Sequence, residues 1–137
     1  MKKDDCIFCK IANGEIPSST IYEDADFRVF LDLSPATRGH ALLVPKEHYA
    51  NLFELDEELT GKVLAVAKKV GAKMKNALGC DGLNLIQNNG EAAGQTVFHF
   101  HLHLIPRYKD DEAGIAWKPG SSTDEEREEL VNLLTRE

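Results

Sequence analysis

A chain of 137 residues with a formal net charge of −7 has room for one domain with its own core, and not for two. The acidic balance argues against a nucleic-acid backbone as partner, though a local cluster of donors can still hold a small phosphate ester. No run approaches the roughly 20 apolar residues of a membrane span, and residues 1–10 place aspartates directly after two lysines, unlike a secretory leader; the expectation is a cytoplasmic protein with reduced thiols.

Residues 7–13 read as a short helix ending at Gly14. Thr20 to Glu23 and Phe27 to Leu31 are β-like runs split by Asp24-Ala25-Asp26, the pattern of a hairpin. Ser34-Pro35 and Arg38-Gly39 mark a loop, and His40 to Val44 reads as a strand stopped by Pro45. From Leu55 to Leu78 apolar residues (Leu59, Val63, Val66, Val70, Met74) recur every three or four positions, which predicts a helix with one apolar face. Asp56 is placed to cap its start and Gly79 to end it. Cys80 follows in a turn, as a half-buried bystander. Leu83 to Gln87 is a further strand. The loop from Asn88 to Gly94 then leads into an expected long strand, Thr96 to Ile105, ending at Pro106. Thr123-Asp124-Glu125-Glu126 resembles a capping box opening a short helix that carries Leu130, Val131, Leu133 and Leu134. Trp117, upstream of it, is expected to pack or to meet a second copy. Consecutive strands with one dominant helix imply an antiparallel α+β domain.

Three of the five histidines fall in His99-Phe100-His101-Leu102-His103. On a strand they share one face with Val97, about 6.6–6.8 Å apart, while Phe98, Phe100, Leu102 and Leu104 take the other face and pack on the core. A solvated polar row is a poor account of three histidines in register. Two chemistries remain: a metal site, since His-x-His can place two imidazoles on one ion, and attack on phosphorus, since neutral imidazole is a nucleophile and a good leaving group near pH 7. The row alone leaves these level. The glycines of Gly90-Glu91-Ala92-Ala93-Gly94 let backbone N–H groups approach an anion, and Asn88, Gln95 and Thr96 add side-chain donors. Those neighbours favour a phosphoryl substrate. Elsewhere, Cys6-Ile7-Phe8-Cys9 has the spacing of half a tetrahedral zinc site. No βαβ pattern surrounds it, which argues against a redox pair, and two unrelated buried thiols are the plain alternative.

The run from His99 to Ile105 is similar to the histidine triad (HIT) pattern, three histidines alternating with apolar residues. Its flanks resemble the family's as well: Gly94-Gln95-Thr96-Val97, Pro106-Arg107, residues 30–35 and residues 39–48. The likeness spans about Cys6 to Arg107, in its zinc-binding, CxxC-containing bacterial-type form. It implies a five-stranded antiparallel sheet with one long and one or two short helices, paired as a homodimer. The whole chain is then one such domain, with a core over 6–107 and a C-terminal extension over 108–137. The resemblance further implies cleavage of nucleoside monophosphate conjugates, such as phosphoramidates or dinucleoside polyphosphates, through a nucleotidyl intermediate on His101. His103 and His40 would support that nucleophile. Asp32 would bind the ribose hydroxyls. Ile7, Phe8, Ile11, Phe30 and Leu33 would hold a purine base, and Asn88, Gln95 and Thr96 would lie near ribose and phosphate. Cys6, Cys9, His48 and His99 would hold a structural zinc, with no catalytic metal required.

Two other functions fit the same residues. A metallohydrolase would gather His99, His101 and His103 on one catalytic ion. A nucleotide-binding adaptor would keep the pocket and act through partners. Nucleic acid and membrane are not expected partners. The leaving group is not legible in the sequence.

Overall fold

The computed structural model describes residues 2–136. In chain order it runs α1 (Ile7–Ala12), β1 (Thr20–Glu23), β2 (Phe27–Leu31), β3 (Ala41–Pro45), α2 (Glu57–Leu78), β4 (Gly82–Gln87), a 3-10 turn (Glu91–Ala93), β5 (Leu102–Arg107) and α3 (Asp124–Thr135). The five strands form one antiparallel sheet in the order β1-β2-β3-β5-β4. The last strand is therefore inserted between two earlier ones, which brings the histidine run beside β3.

Strand alternation sorts the apolar residues into two layers. Phe27, Val29, Leu43, Leu102 and Leu104 pack against Val63, Val66, Val70 and Met74 of α2. Phe30, Leu42 and Val44 face the other way and meet Phe8 and Ala12 of α1. The long helix starts where Asp56 accepts N–H bonds from Glu58 and Leu59 (2.8 and 3.4 Å) and ends where Gly79 turns left-handed at φ +62°.

One expected element is different. The strand predicted over 96–105 occupies only Leu102–Arg107. Its pairing with β3 covers Leu102 to Leu104, and before that other partners hold the backbone. The Phe100 N–H donates to the Tyr49 carbonyl at 2.6 Å, and the Gln95 amide binds Val97. Without strand alternation Phe98 is left 47% exposed instead of packing on the core. At the other end β5 runs through Pro106, and β3 includes Pro45. The β3–β5 ladder has ended by Leu104, so the missing N–H at Pro106 costs little.

The C-terminal helix α3 buries none of its residues. All twelve residues of α3 are exposed, including its four large aliphatic side chains. Trp117 is 87% exposed, so it does not pack within the chain. Among the described residues no helix is long and apolar enough to cross a membrane.

Candidate active site and metal cluster

The site is built where β3 and β5 meet. His103 pairs with Leu42 in the sheet register, and His40 stands immediately before β3. The Ala36 backbone N–H donates to His40 Nδ1 at 2.9 Å. A backbone amide can only donate, so a neutral His40 carries its proton on Nε2. That Nε2 lies 2.9 Å from His103 Nδ1 and donates to it, which leaves the His103 proton on Nε2. His101 is fixed in the opposite sense. Its Nδ1 lies 2.7 Å from the His99 carbonyl, which can only accept, so Nδ1 bears the proton and Nε2 carries a free lone pair.

Burial keeps these rings neutral. Desolvation lowers the pKa of His101 and His40, the latter opposed by the Asp32 carboxylate, and brings His103 down to about 4 with help from His101 and His40. The edge of Phe8 meets the His101 ring at a centroid distance of 5.0 Å, and the His103 ring lies at the same distance on another side. Asp32 turns the loop back on itself by accepting the Ser34 N–H at 2.8 Å with one oxygen, while the other lies 3.6 Å from His40 Nε2.

These groups open on a cleft of about 370 Å3. It is lined by Ile7, Phe8, Ile11, Phe30, Asp32, Leu33, Thr96, His101 and His103, with Leu33 at the rim and 97% exposed. His40 stands behind the wall, against His103. Gln95 and Asn88 are not among the residues that line the cleft. The Gln95 side chain is buried and fully engaged: it accepts the Gly90 N–H at 2.8 Å and donates to the carbonyls of Ala50 and Val97 at 2.7 and 3.1 Å. It closes the glycine loop. Asn88 packs beneath Gly94 of that loop. Sequence reasoning missed Ile16, Pro17, Ser18 and Ser19, which form one wall. The Gly14 to Ser19 connection between α1 and β1 was the signal that a loop stood there, but nothing local said what it would face.

Beside the cleft lies a second cluster, in which Cys6, Cys9, His48 and His99 each offer a donor atom within 4.8 Å of the others. Cys6 Sγ is 3.4 Å from His99 Nδ1, and Cys9 Sγ is 3.3 Å from His48 Nδ1 and 3.5 Å from His99 Nδ1. Zinc bonded to sulfur at about 2.3 Å and nitrogen at about 2.0–2.1 Å in a tetrahedron sets S···N edges of about 3.5 Å, so the donor set fits that ion. The surroundings fit as well. His99 Nε2 donates to the Pro45 carbonyl at 2.9 Å, which leaves the Nδ1 lone pair facing the sulfurs. Burial lowers the His99 pKa to about 4 and keeps it in the neutral, ligating form. Each sulfur receives a backbone N–H at 3.4 Å, Cys6 from Cys9 and Cys9 from Lys3. Burial pushes the Cys9 thiol up, a cost that a cation would offset.

Both ring nitrogens of His99 are thus committed away from the cleft, and His99, His101 and His103 do not converge on a point. A catalytic ion held by that row has no geometric support.

The HIT domain profile matches residues 13–110. The chain is 44% identical to Protein hit of Bacillus subtilis over 131 residues, 95% of this chain and 90% of that protein. It is 42% identical to the adenosine 5'-monophosphoramidase of Schizosaccharomyces pombe over 113 residues, 82% of each. A crystal structure from Streptococcus mutans superimposes with a TM-score of 0.92 at 43% identity, covering 97% of this chain and 85% of that one. A zinc-bound histidine triad family protein of Mycobacterium smegmatis does so with a TM-score of 0.77 at 39% identity, covering 95% and 90%.

Proposed function

The chain belongs to the HIT family, and on that footing we propose that it is a nucleotidyl hydrolase or transferase whose nucleophile is His101. The observation that carries this is the tautomer: His99 O holds the His101 proton on Nδ1, and the ring is buried and neutral at the wall of the cleft. A nucleoside monophosphate conjugate enters with its base among Phe8, Ile11 and Phe30. Its ribose lies toward the free oxygen of Asp32, and its phosphoryl group lies against His101, His103 and Thr96. The Nε2 lone pair of His101 forms the N–P bond. The bond to the leaving group breaks, and its electron pair departs on a leaving nitrogen that solvent has protonated. Water then forms an O–P bond, the P–Nε2 pair returns to His101, one water proton stays on the product phosphate and the other goes to solvent. His103 Nε2–H donates to a phosphoryl oxygen in both steps, where charge builds. The S. pombe relative's name supports a phosphoramidate as the first substrate to try.

Zinc, held by Cys6, Cys9, His48 and His99, would tie α1 to the sheet and fix the His99 carbonyl that orients the nucleophile. Its role is structural, and no step of the reaction passes through it. The active form is a homodimer; the exposed β4 edge and a cavity of about 440 Å3 beside it support this. Three cysteines with no disulfide among them fit a reducing compartment, the cytoplasm.

The test is release of AMP from an adenosine phosphoramidate by the native chain and by His101→Ala, each with and without a chelator. The native chain releases AMP and His101→Ala loses at least about 10³-fold, the scale for removing a nucleophile. Brief chelation leaves release intact while lowering the melting temperature. Release that needs added metal would instead support a metallohydrolase. Tight AMP binding without release from any conjugate would support an adaptor.

A further inference from the structure

A second set of metal-type donors lies within the active site. Asp32, His40 and His103 each place a ligand atom within 4.8 Å of the others. Two imidazoles and a carboxylate make a set that binds divalent transition metals, and a metal here would block the cleft. The far side of His40 decides whether it can. To ligate through Nε2, His40 needs its lone pair there and its proton on Nδ1. The Ala36 N–H already points at Nδ1 from 2.9 Å, so that tautomer would set two N–H groups head to head. The amide is not free to turn away. Asp32 Oδ1 holds the Ser34 N–H at 2.8 Å, Pro35 fixes the next φ, and the His40 N–H closes the loop onto Thr37 O at 3.2 Å. The Thr37 hydroxyl in turn donates to Pro106 O at 2.6 Å. His99 shows the opposite case: a carbonyl, Pro45 O, faces its far nitrogen and frees the other as a ligand.

We infer that the Ala36 backbone amide is a positioning group that locks His40 as the Nε2–H tautomer, thereby turns the His103 N–H toward the phosphoryl group, and denies the Asp32–His40–His103 set to metal ions. Loss of the lock scrambles the His40–His103 hydrogen bond and creates a second metal site. The catalytic part rests on the function proposed above; the tautomers and the metal exclusion do not.

The test removes only the N–H. Lactic acid incorporated at position 36 puts an ester oxygen in place of the amide, and Ala36→Pro is the genetically encoded equivalent. Nitrogen-15 shifts of the imidazole rings read the tautomers directly. In the native chain His40 and His103 are protonated on Nε2 and His101 on Nδ1, and in the ester variant His40 becomes a mixture. Cobalt(II) titration of metal-depleted protein gives one ion per native chain, at the cysteine cluster, and two per variant chain. With the phosphoramidate, kcat falls about tenfold, the scale of one misdirected hydrogen bond, while KM holds; micromolar zinc inhibits the variant and not the native chain. A native His40 protonated on Nδ1 overturns the proposal. So does an ester variant that binds no additional cobalt. If neither protein releases AMP, the proposed function fails, and the nitrogen shifts and the cobalt count still decide the lock.

Discussion

His103 sits with His40 against its Nδ1, His101 beside it and Asp32 as the nearby carboxylate; burial brings its pKa to about 4. His40 shifts in the same direction. An unfolded chain protonates His103 near pH 6.5, so between about 4 and 6.5 it binds a proton there that the folded chain does not. Stability is therefore complete above that window and is lost as the pH falls through it. For His103 the loss over the whole window is roughly 3 kcal/mol. Melting curves from pH 7 to 4.5 should steepen accordingly for the native chain. His103→Gln, which cannot titrate, should give a shallower dependence in the same salt. Equal slopes would assign the acid sensitivity to other groups.

The loop before β3 meets the end of α2 at Gly39. Its φ is +91°, and an added Cβ would stand 2.6 Å from Leu78 Cδ1 and 3.3 Å from Pro106 Cγ. Gly39→Ala should cost about 2 kcal/mol in urea unfolding through strain and overlap. Gly61 lies within α2 with nothing within 4 Å of its Cβ position. Gly61→Ala should stabilise by about 0.5–1 kcal/mol. Elements of this kind were readable from local signals. The apolar period over 55–78, with Asp56 and Gly79 at its ends, located α2. The two short runs around Asp24-Ala25-Asp26 located the hairpin. That the strand predicted over 96–105 begins only at Leu102 was not readable, because distant groups, the Tyr49 carbonyl and the pairing with β3, decide where that ladder starts.

At the scale of the molecule, β4 is an edge strand that carries exposed Leu83 and Leu85 (38 and 42%), with exposed Leu64 of α2 (65%) lining the same cavity. An unprotected apolar edge is a site for pairing with another chain. Lys68 and Lys75 border the cavity there, and the proposed homodimer would pair isologously through this face. Leu85→Lys should convert the dimer to a folded monomer, read by light scattering together with an unchanged melting profile at low concentration. A variant that remains dimeric would move the interface elsewhere, with Trp117 and α3 as the next exposed apolar surfaces.

The sequence by itself determined the elements with a clear period or cap, the three histidines of the triad, and Cys6 and Cys9 as half of a tetrahedral donor set. Those features are local, set by spacing along a helix or strand. Tertiary structure decided what each histidine can do. His99, His101 and His103 are the same residue type at the same spacing, yet the Pro45 carbonyl leaves one with its Nδ1 lone pair toward the cysteine sulfurs and the His99 carbonyl leaves the next with its lone pair on Nε2. A chain of bonds from Ala36 through His40 leaves the third with its proton on Nε2. It also withdrew Gln95 from the cleft and added Ser18 and Ser19 to it. Ring tautomers depend on what faces the second nitrogen, and those partners come from segments that only the folded sheet brings together.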